Sequence, residues 1–177
     1  LGNEGEAYQI ALCEAKSVGL IKSVGVSIYR PEELDAICAQ WHPDLIQAPC
    51  SILDRRLIQS GWLPRLQKMG VRVHVRSAFL QGLLLMPADR LPAYFAPWSN
   101  LLDRWAKWCE EQNITPLQGA LGYVSSLPGI ERVVLGVDSL AQLHDISQAI
   151  TTTVATAPQD LACDDLDLIE PYRWKLT

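Results

Sequence analysis

The sequence predicts an α/β fold in which parallel strands are covered by helices. Two observations support it: short apolar runs alternate with stretches of helical periodicity, and the runs are almost continuously apolar. Strands covered by helices on both faces have that continuous pattern, whereas half-exposed strands alternate. The four runs are LIKSVGVS (20–27), DLIQAP (44–49), VRVHVRS (71–77) and ERVVLG (131–136).

A helix is predicted on each side of the first strand. Apolar residues at helical spacing precede this strand, and Gly19 follows them where a left-handed residue ends a helix. These apolar residues are Tyr8, Ala11, Leu12, Ala15 and Val18. After the strand, Pro31 fixes φ for a first helical turn, and Glu32 and Glu33 are favoured there by the helix dipole. The buried stripe of this second helix is predicted to be Leu34, Ile37, Cys38 and Trp41.

The middle helices also have recognisable beginnings and ends. Ser99 is the predicted N-cap of a helix over 101–112, and Thr115 with Pro116 opens another helix that runs to about residue 126. Before them, an interrupted helical region ends at Gly70. Its apolar residues are Leu57, Ile58, Leu63 and Leu66.

The last clear helix is predicted to begin after Ser139, which caps it. Its predicted inner side consists of Leu140, Leu143, Ile146 and Ile150. Residues 151–177 have no helical or strand pattern, so they are predicted to be an irregular C-terminal tail.

Composition indicates one domain, here taken as 1–177, and excludes several classes of partner. The net charge is -5 and the lysines and arginines are scattered, so the chain has no basic stripe for nucleic acid. The apolar runs are shorter than the roughly 20 residues that span a bilayer, so a membrane is not expected. Five cysteines without paired spacing argue against a disulfide framework or a zinc site. They predict a reduced, cytoplasmic protein without a metal.

Polar residues follow all four predicted strands. These strand ends contain Ser27, Gln47, Arg76 and Asp138. In a (β/α)8 barrel the active site lies at the carboxyl ends of the strands, where these residues would gather. Neither GxGxxG nor GxxxxGK[ST] follows the first strand, so a dinucleotide-binding Rossmann fold and a P-loop are not supported.

Four stretches of the chain resemble, in order and spacing, the second half of an aldo-keto reductase. They are VGVSIYRPEEL, DLIQAPCSILDRR, GVRVHVRSAFLQGLLL and VVLGVDSLAQL, and the closing EPYRW adds to the match. The resemblance implies that the chain forms the C-terminal half of a TIM (β/α)8 barrel, a fold that usually needs about 250 residues. We expect an apolar inner face that the missing N-terminal half or a second copy of the chain covers.

The resemblance also implies a site for NAD(P)H at the strand ends. The family's serine and glutamine that hold the nicotinamide carboxamide fall on Ser27 and Gln47. A hydroxyl and an amide together supply the donor and the acceptor that a carboxamide needs. The asparagine that usually follows this serine is replaced by Ile28, so one polar contact is missing.

The family's tyrosine that stacks on the nicotinamide falls on Arg76. A planar guanidinium can stack on a ring, and it can also reach a pyrophosphate. By the same resemblance, the loop after Arg76 lies along the cofactor's phosphates. The loop residues concerned are Ser77, Phe79 and Gln81.

The family's clamp for the adenosine phosphate falls on Gly136, Asp138 and Gln142, and it departs from the usual pattern. A cation is usual in this clamp, and none stands at these positions. Asp138 repels a phosphate, whereas an acidic residue near a ribose is typical of NAD sites. We therefore expect either a preference for NADH or a loss of cofactor binding.

Two function hypotheses remain open. The family's catalytic aspartate, tyrosine, lysine and histidine precede the matched strands, so no catalytic residue is assigned in this chain. In the first hypothesis the chain is the cofactor-binding half of an NAD(P)H-dependent oxidoreductase, whose partners are a nicotinamide dinucleotide and a small aldehyde or ketone. In the second it is a reductase-like scaffold that acts as a binding or regulatory protein.

The candidate residues also have structural interpretations. Ser27 and Gln47 can cap backbone groups at the strand ends, and Arg76 can pair with Asp54. In LDRR (53–56), the aspartate is predicted to cap backbone donors while the arginines form surface salt bridges.

Three further groups of residues are predicted to be structural. His74 in mid-strand is interpreted as a hydrogen-bonded core histidine. The tryptophans near helical spacing, Trp98, Trp105 and Trp108, are interpreted as core or groove aromatics. A solvated acidic tail is predicted from Asp160, Asp164, Asp165 and Asp167.

Overall fold

The computed structural model describes residues 3–176, and its strands form one parallel sheet. The strand order is β1-β2-β3-β4, so each strand lies beside its neighbour in sequence. The strands are β1 (Gly25–Ser27), β2 (Leu45–Pro49), β3 (Arg72–Arg76) and β4 (Arg132–Val133). The predicted α/β class with four parallel strands is confirmed. The outer strands β1 and β4 are shorter than their apolar runs, and within residues 3–176 each pairs with one neighbour.

Helices provide the crossovers that parallel neighbours require. They are α1 (Asn3–Ser17), α2 (Glu33–Gln40), α3 (Arg56–Gln59), α4 (Trp62–Lys68), α5 (Ser99–Glu111), α6 (Pro116–Ser126), α7 (Leu140–Ala149) and α8 (Leu166–Ile169). Short 3-10 turns cover Leu83–Leu85, Ala88–Arg90, Ala93–Trp98, Gln159–Leu161 and Pro171–Arg173. None of the helices within residues 3–176 has the length and apolar character needed to cross a bilayer.

Local capping chemistry accounts for two of the predicted helix starts. The Thr115 side chain accepts a bond from Gln118 N at 3.2 Å, and Gln118 Oε1 accepts one from Thr115 N at 2.8 Å, which completes a capping box. Ser139 Oγ accepts a bond from Gln142 N at 3.2 Å, so the predicted cap of α7 is confirmed.

The prediction that Ser99 caps a helix is wrong. Ser99 has helical dihedral angles and is the first residue of α5, and Trp98 before it provides no side-chain cap. The reason is that the 3-10 turn over Ala93–Trp98 runs directly into α5. The chain is therefore already helical when it reaches Ser99.

The core lies between the sheet and the helices. Alternate residues of the central strands have no exposed surface and pack in one cluster with residues of α2, α4 and α6. These strand residues are Ile46, Ala48, Val73 and Val75. The period of two along β2 and β3 thus directs one face of the sheet into the core.

The opposite face of the sheet is polar, and the prediction of an apolar inner face is wrong. The parallel register pairs Ser27 with Gln47 and Gln47 with His74, so these side chains lie on the same face. Arg72 and Arg76 share that face because they stand two residues from His74. The charged residues inside the apolar run of β3 therefore point away from the core.

The predicted inner side of α7 is also wrong. Leu140, Leu143 and Ile150 are exposed, and among the described residues of the helix only Ala149 is buried. The reason is that β4 pairs only with β3, so the part of the chain described here has no strand beyond β4 against which α7 could pack. At the other edge, α1 likewise exposes Tyr8.

Gly25 approaches β2 too closely to accept a side chain, which gives a test of the β1–β2 pairing. A Cβ at this position would lie 2.3 Å from Leu45 O and 2.8 Å from Leu45 Cβ. We expect Gly25→Ala to push β1 from β2 and to lower the free energy of unfolding by about 1–3 kcal/mol, measured by urea unfolding. The control is Gly136→Ala, where a Cβ meets nothing within 4 Å and the expected change is within about 0.5 kcal/mol. Equal effects of the two substitutions would contradict the steric argument.

Candidate functional site

The carboxyl ends of β1, β2 and β3 bring three predicted site residues to one edge of the sheet. Ser27 lies opposite Gln47, and Pro49 lies opposite Arg76 in the parallel register. The ladder continues past the end of β1, because Ile28 N donates to Gln47 O at 2.9 Å. Because parallel strands end at a common edge, Ser27, Gln47 and Arg76 occupy the place where barrel enzymes bind their ligands.

Ser27 and Gln47 are joined by a hydrogen bond between their side chains. Ser27 Oγ donates to Gln47 Oε1 at 3.2 Å. The structural interpretation had this hydroxyl cap a backbone group. In the structure it binds a side chain. This bond leaves the amide N–H groups of Gln47 and the lone pairs of Ser27 Oγ for a ligand.

Arg76 is half-buried and rests against an aromatic ring. Its Cζ lies 4.9 Å from the centroid of the Tyr29 ring, a cation–π distance. Its Nη2 donates to Ile28 O at 3.1 Å, and its Nη1 donates to Ser77 Oγ at 3.3 Å. Both acceptors are neutral.

The loop after β3 has an unusual backbone. The φ angles of Ser77, Leu80, Gln81 and Gly82 are 62°, 45°, 52° and 87°. Three of these residues carry side chains, which disfavour the left-handed region. The turn is held by a bond from Leu80 N to Ser77 O at 2.9 Å and by the complete burial of Leu80. Such strain clusters at ligand sites in many proteins.

A cleft of about 710 Å³ lies between this loop and the chain that follows β4, and we call it the β4 cleft. Asp138 and Asp145 line it, and Arg76 is the one cation among its described lining residues. Gln142 Oε1 accepts a bond from Asp138 N at 2.8 Å, which fixes both residues. Its lining includes seven predicted residues: Arg76, Ser77, Phe79, Gln81, Gly136, Asp138 and Gln142.

A second cleft, of about 520 Å³, lies where the C-terminal tail crosses the carboxyl edge of the sheet, and we call it the tail cleft. Arg76, Ser77 and Gln81 line both clefts, so they form the wall between them. Much of the remaining wall is apolar or aromatic and includes Tyr29, Leu83, Met86, Phe95, Tyr172 and Trp174.

A buried carboxylate, that of Glu170, joins the tail to Arg30 in the loop after β1 and to Arg56 at the start of α3. Glu170 is 3% exposed, and it accepts two bonds from Arg30, at 2.7 and 2.8 Å. It also accepts one bond from Arg56 Nη1 at 2.9 Å and one from Tyr172 Oη. Arg56 in turn donates to both oxygens of Asp54 at 2.9 Å. Two cations and two carboxylates thus form one network.

The network corrects two predictions about LDRR. Asp54 pairs with Arg56 and not with Arg76, so the proposed Arg76–Asp54 ion pair is wrong. The arginines do not form surface salt bridges either. Arg55 is 6% exposed and donates to Ile52 O and Pro158 O at 2.8 Å, while its guanidinium lies 5.0 Å from the Tyr123 ring. The tail and α6 cover these side chains, which the local sequence does not reveal.

The charges of the network are mutually stabilised. Hydrogen bonds from Arg30 above all, and then from Tyr172 and Arg56, lower the pKa of Glu170 to about 2 although burial opposes this. Burial acts to lower the pKa of Arg56, but its bonds to Asp54 and Glu170 outweigh burial and raise that pKa. Glu170 and Arg56 are therefore both charged at neutral pH.

Arg30 and Glu170 were not among the site residues predicted from the sequence. A signal was present, because Glu170 is a charged residue that directly follows the apolar pair Leu168–Ile169 and precedes Pro171. A lone charge beside buried positions needs a partner. The partners of Glu170 lie 114 and 140 residues earlier in the chain, so pattern alone could not identify them.

The remaining candidates have structural contacts. His74 is half-buried, and its Nε2 lies 3.2 Å from Glu131 Oε2, outside both clefts. Trp105 and Trp108 are buried and stacked at 5.6 Å. In the tail, Asp165 caps α8. Within residues 3–176, no three histidine, cysteine or acidic side chains are grouped as a metal site requires.

Residues 6–164 match the sequence profile of the Aldo/keto reductase family. The chain belongs to this family. The match extends from α1 to the tail and includes all four strands, and it confirms the resemblance found in the sequence. No curated protein matches the chain significantly.

Solved aldo-keto reductases have the same fold. Aldo-keto reductase AKR11C1 from Bacillus halodurans, in its apo form, superimposes with a TM-score of 0.65 at 27% identity, over 84% of this chain and 51% of that one. Glycerol dehydrogenase AKR11B4 from Gluconobacter oxydans superimposes with a TM-score of 0.62 at 21% identity, over 81% of this chain and 48% of that one. The chain therefore spans about half the length of these reductases, and its four strands correspond to part of their TIM barrel.

Removing the Glu170 charge tests the network. We expect Glu170→Gln to lower the free energy of unfolding at pH 7 by about 3 kcal/mol, because the pKa falls from an ordinary 4.5 to about 2 on folding. A carboxyl whose pKa is lowered by folding stabilises the protein above its unfolded pKa. The advantage of the wild type should therefore shrink as pH falls from about 4.5 towards about 2.

Urea unfolding at pH 7 and at intervals from pH 5 down to the acid transition measures this difference. Asp160→Asn is the control, because Asp160 belongs to the same tail but its pair with Arg104, at 3.4 Å, is exposed. We expect it to change stability by less than about 1 kcal/mol. A wild-type advantage that stays constant down to pH 3, or none at pH 7, would contradict the role given to Glu170.

Proposed function

We propose that this chain is the cofactor-binding part of an NAD(P)H-dependent oxidoreductase that reduces aldehydes or ketones. One observation carries the proposal, namely that the residues assigned by the family resemblance gather in two groups at the carboxyl edge of the sheet. Two of them, Ser27 and Gln47, bond to each other, and the other seven line the β4 cleft. Ser27 belongs to β1 and Gln47 to β2, and the seven cleft residues lie at the end of β3 or follow β3 and β4, so each group joins residues that are distant in sequence.

The Ser27–Gln47 pair has the chemistry for a carboxamide. Gln47 retains two N–H donors for the carboxamide oxygen, and Ser27 Oγ retains lone pairs for the carboxamide N–H. The guanidinium of Arg76 stands on the same face of the sheet and offers a planar surface beside them. In this proposal the three side chains orient the nicotinamide, which when bound supplies the hydride that reduces a carbonyl carbon.

The β4 cleft suits the remainder of a dinucleotide. Arg76, Ser77 and Gln81 place one cation and two neutral polar side chains at the end nearest the sheet, where phosphates would bind. At the other end, Gly136 leaves open space and Asp138 is exposed. A carboxylate accepts hydrogen bonds from ribose hydroxyls, so this end favours a ribose without a 2'-phosphate.

A second candidate function is a reductase-like binding or regulatory scaffold. Ile28 is completely buried, so it offers no substitute for the polar contact of the asparagine usual at that position. Asp138 and Asp145 also make the β4 cleft acidic, which weakens the binding of any phosphate. Cofactor binding distinguishes the two candidates.

The proposal includes a partner for the edges of the sheet. The helices next to the edge strands in sequence, α1 before β1 and α7 after β4, expose apolar side chains that a further half barrel would cover. We propose that this half is either additional chain of the same protein or a second copy. A cytoplasmic location is also part of the proposal, in keeping with the unpaired thiols of Cys13, Cys38, Cys50, Cys109 and Cys163.

Titration with NADH tests the carboxamide site. We expect Ser27→Ala to weaken NADH binding about two- to tenfold, the loss of one net hydrogen bond, in calorimetric or fluorescence titrations. Ser23→Ala is the matched control, because Ser23 precedes the amino end of β1, where its hydroxyl accepts a bond from Arg72. Equal weakening by both substitutions would contradict the site. If neither NADH nor NADPH binds the wild type at millimolar concentration, the scaffold is the better proposal.

Titration with both cofactors tests the charge of the β4 cleft. We expect any preference for NADPH to stay below a hundredfold, because Asp138 and Asp145 leave a 2'-phosphate without the charge-assisted bonds, of about 1.5–3 kcal/mol each, that create such a preference. Asp138→Asn should shift the ratio of dissociation constants towards NADPH. Asp89→Asn, an exposed change outside the cleft, should leave the ratio unchanged. A wild-type preference for NADPH of a hundredfold or more would overturn this expectation.

A further inference from the structure

The tail cleft has the walls of a site for a flat apolar group. Tyr29 and Tyr172 meet edge to face at 5.5 Å between ring centroids, and Phe95 and Trp174 meet in the same way at 4.8 Å. Such pairs hold aromatic rings in fixed orientations. Leu83 is buried beside them. An aromatic or branched aliphatic body therefore finds dispersion contacts along most of this cleft.

Four charged groups at the tail cleft cancel one another. Arg30 and Arg56 carry the positive charges, and Asp54 and Glu170 carry the negative ones. Each oxygen of Glu170 accepts two hydrogen bonds, so this carboxylate has no free acceptor site. The network is thus neutral as a whole, and its buried carboxylate, that of Glu170, has no acceptor site left for a ligand.

Arg76 lines the tail cleft but does not belong to this network. A guanidinium has five N–H donors, and Arg76 uses two of them for Ile28 O and Ser77 Oγ. Both acceptors are uncharged, and Arg76 forms no ion pair within residues 3–176. Tyr29 covers one side of the guanidinium plane at 4.9 Å. The tail cleft therefore presents one uncompensated positive charge at the end of an apolar enclosure.

We propose that the tail cleft binds a carbonyl substrate that has an aromatic or branched apolar body and one carboxylate, with Arg76 as the anchor of that carboxylate. The proposal rests on the proposed function only in taking the ligand to be the substrate. A guanidinium binds a carboxylate through charge-assisted and often paired hydrogen bonds, which a neutral amide of equal size does not reproduce. Arg76 is thus a specificity-determining residue.

Matched probes separate the charge from the apolar body. 3-Phenylpropionate and its neutral amide, 3-phenylpropionamide, have nearly the same size and differ in charge. We expect the 177-residue chain to bind the acid at least tenfold more tightly than the amide in calorimetric titrations. The acid should also shift the NMR signal of the Trp174 indole N–H, which in the free protein donates to Leu168 O at 2.9 Å.

Substitutions of Arg76 and Arg72, both on β3, test whether Arg76 causes the preference for the acid. Arg76→Gln should reduce the preference for the acid to less than about twofold. Arg76→Lys should retain part of the preference, because lysine keeps the positive charge but lacks the paired N–H donors of a guanidinium. Arg72→Gln is the control, since Arg72 stands at the opposite end of β3, and it should keep the whole preference. Circular dichroism confirms that each variant is folded.

Three outcomes would overturn the proposal. The wild type could bind the acid and the amide equally, Arg72→Gln could remove as much of the preference as Arg76→Gln, or the Trp174 signal could stay unchanged while the acid binds. Failure here is distinct from failure of the proposed function. Binding of NADH without preference for the acid would refute this inference alone, whereas preference for the acid without binding of either dinucleotide would refute the cofactor role alone.

Discussion

The carboxylate of Glu170 is the interaction on which the arrangement of the site depends. It connects the tail to Arg30 and Arg56, which lie 140 and 114 residues earlier. The tail has only short helical turns to hold it, so backbone bonding alone does not fix its path. A buried charge must keep its partners, because leaving it unpaired costs several kcal/mol. The ion network therefore sets where Tyr172 and Trp174 stand, and with them the wall of the tail cleft.

The register of the parallel sheet is the second constraint. In a strand the side-chain period is two, so a slip of one residue would turn Ser27 or Gln47 towards the helices. Because Gly25 has no side chain, β1 can approach Leu45 and pair with β2 in the observed register. The same periodicity explains the arginines within β3, whose apolar residues face the core while Arg72, His74 and Arg76 lie on the opposite face. One strand thus packs against the helices with one set of side chains and presents polar groups on the opposite face with the other.

Features encoded by neighbouring residues were predictable from the sequence, and features that depend on distant residues were not. The capping box at Thr115 and the left-handed Gly70 lie within a few residues of the helix ends they determine. The burial of Arg55 depends on the tail more than a hundred residues away. The exposure of Leu140 depends on a neighbouring strand that residues 3–176 do not supply. Nothing within α7 distinguishes an apolar stripe that is covered from one that is not.

The contact between Ser27 and Gln47 lies between these two cases. Strand periodicity indicated that both residues end parallel strands, but only the family resemblance said that their side chains act together. Arg76 is different, since its partners are Tyr29 and two neutral acceptors, whereas the sequence left open a stacked cofactor ring or an ion pair with Asp54. Its charge is left uncompensated between a neutral aromatic cleft and an acidic one. Coulomb attraction falls with distance and with screening, so an anion is held best where it touches Arg76 and lies far from Asp138 and Asp145. Phosphates in the β4 cleft and a carboxylate in the tail cleft would therefore both bind this one guanidinium. An anion bound in either cleft would neutralise part of its charge and so weaken the binding of an anion in the other cleft.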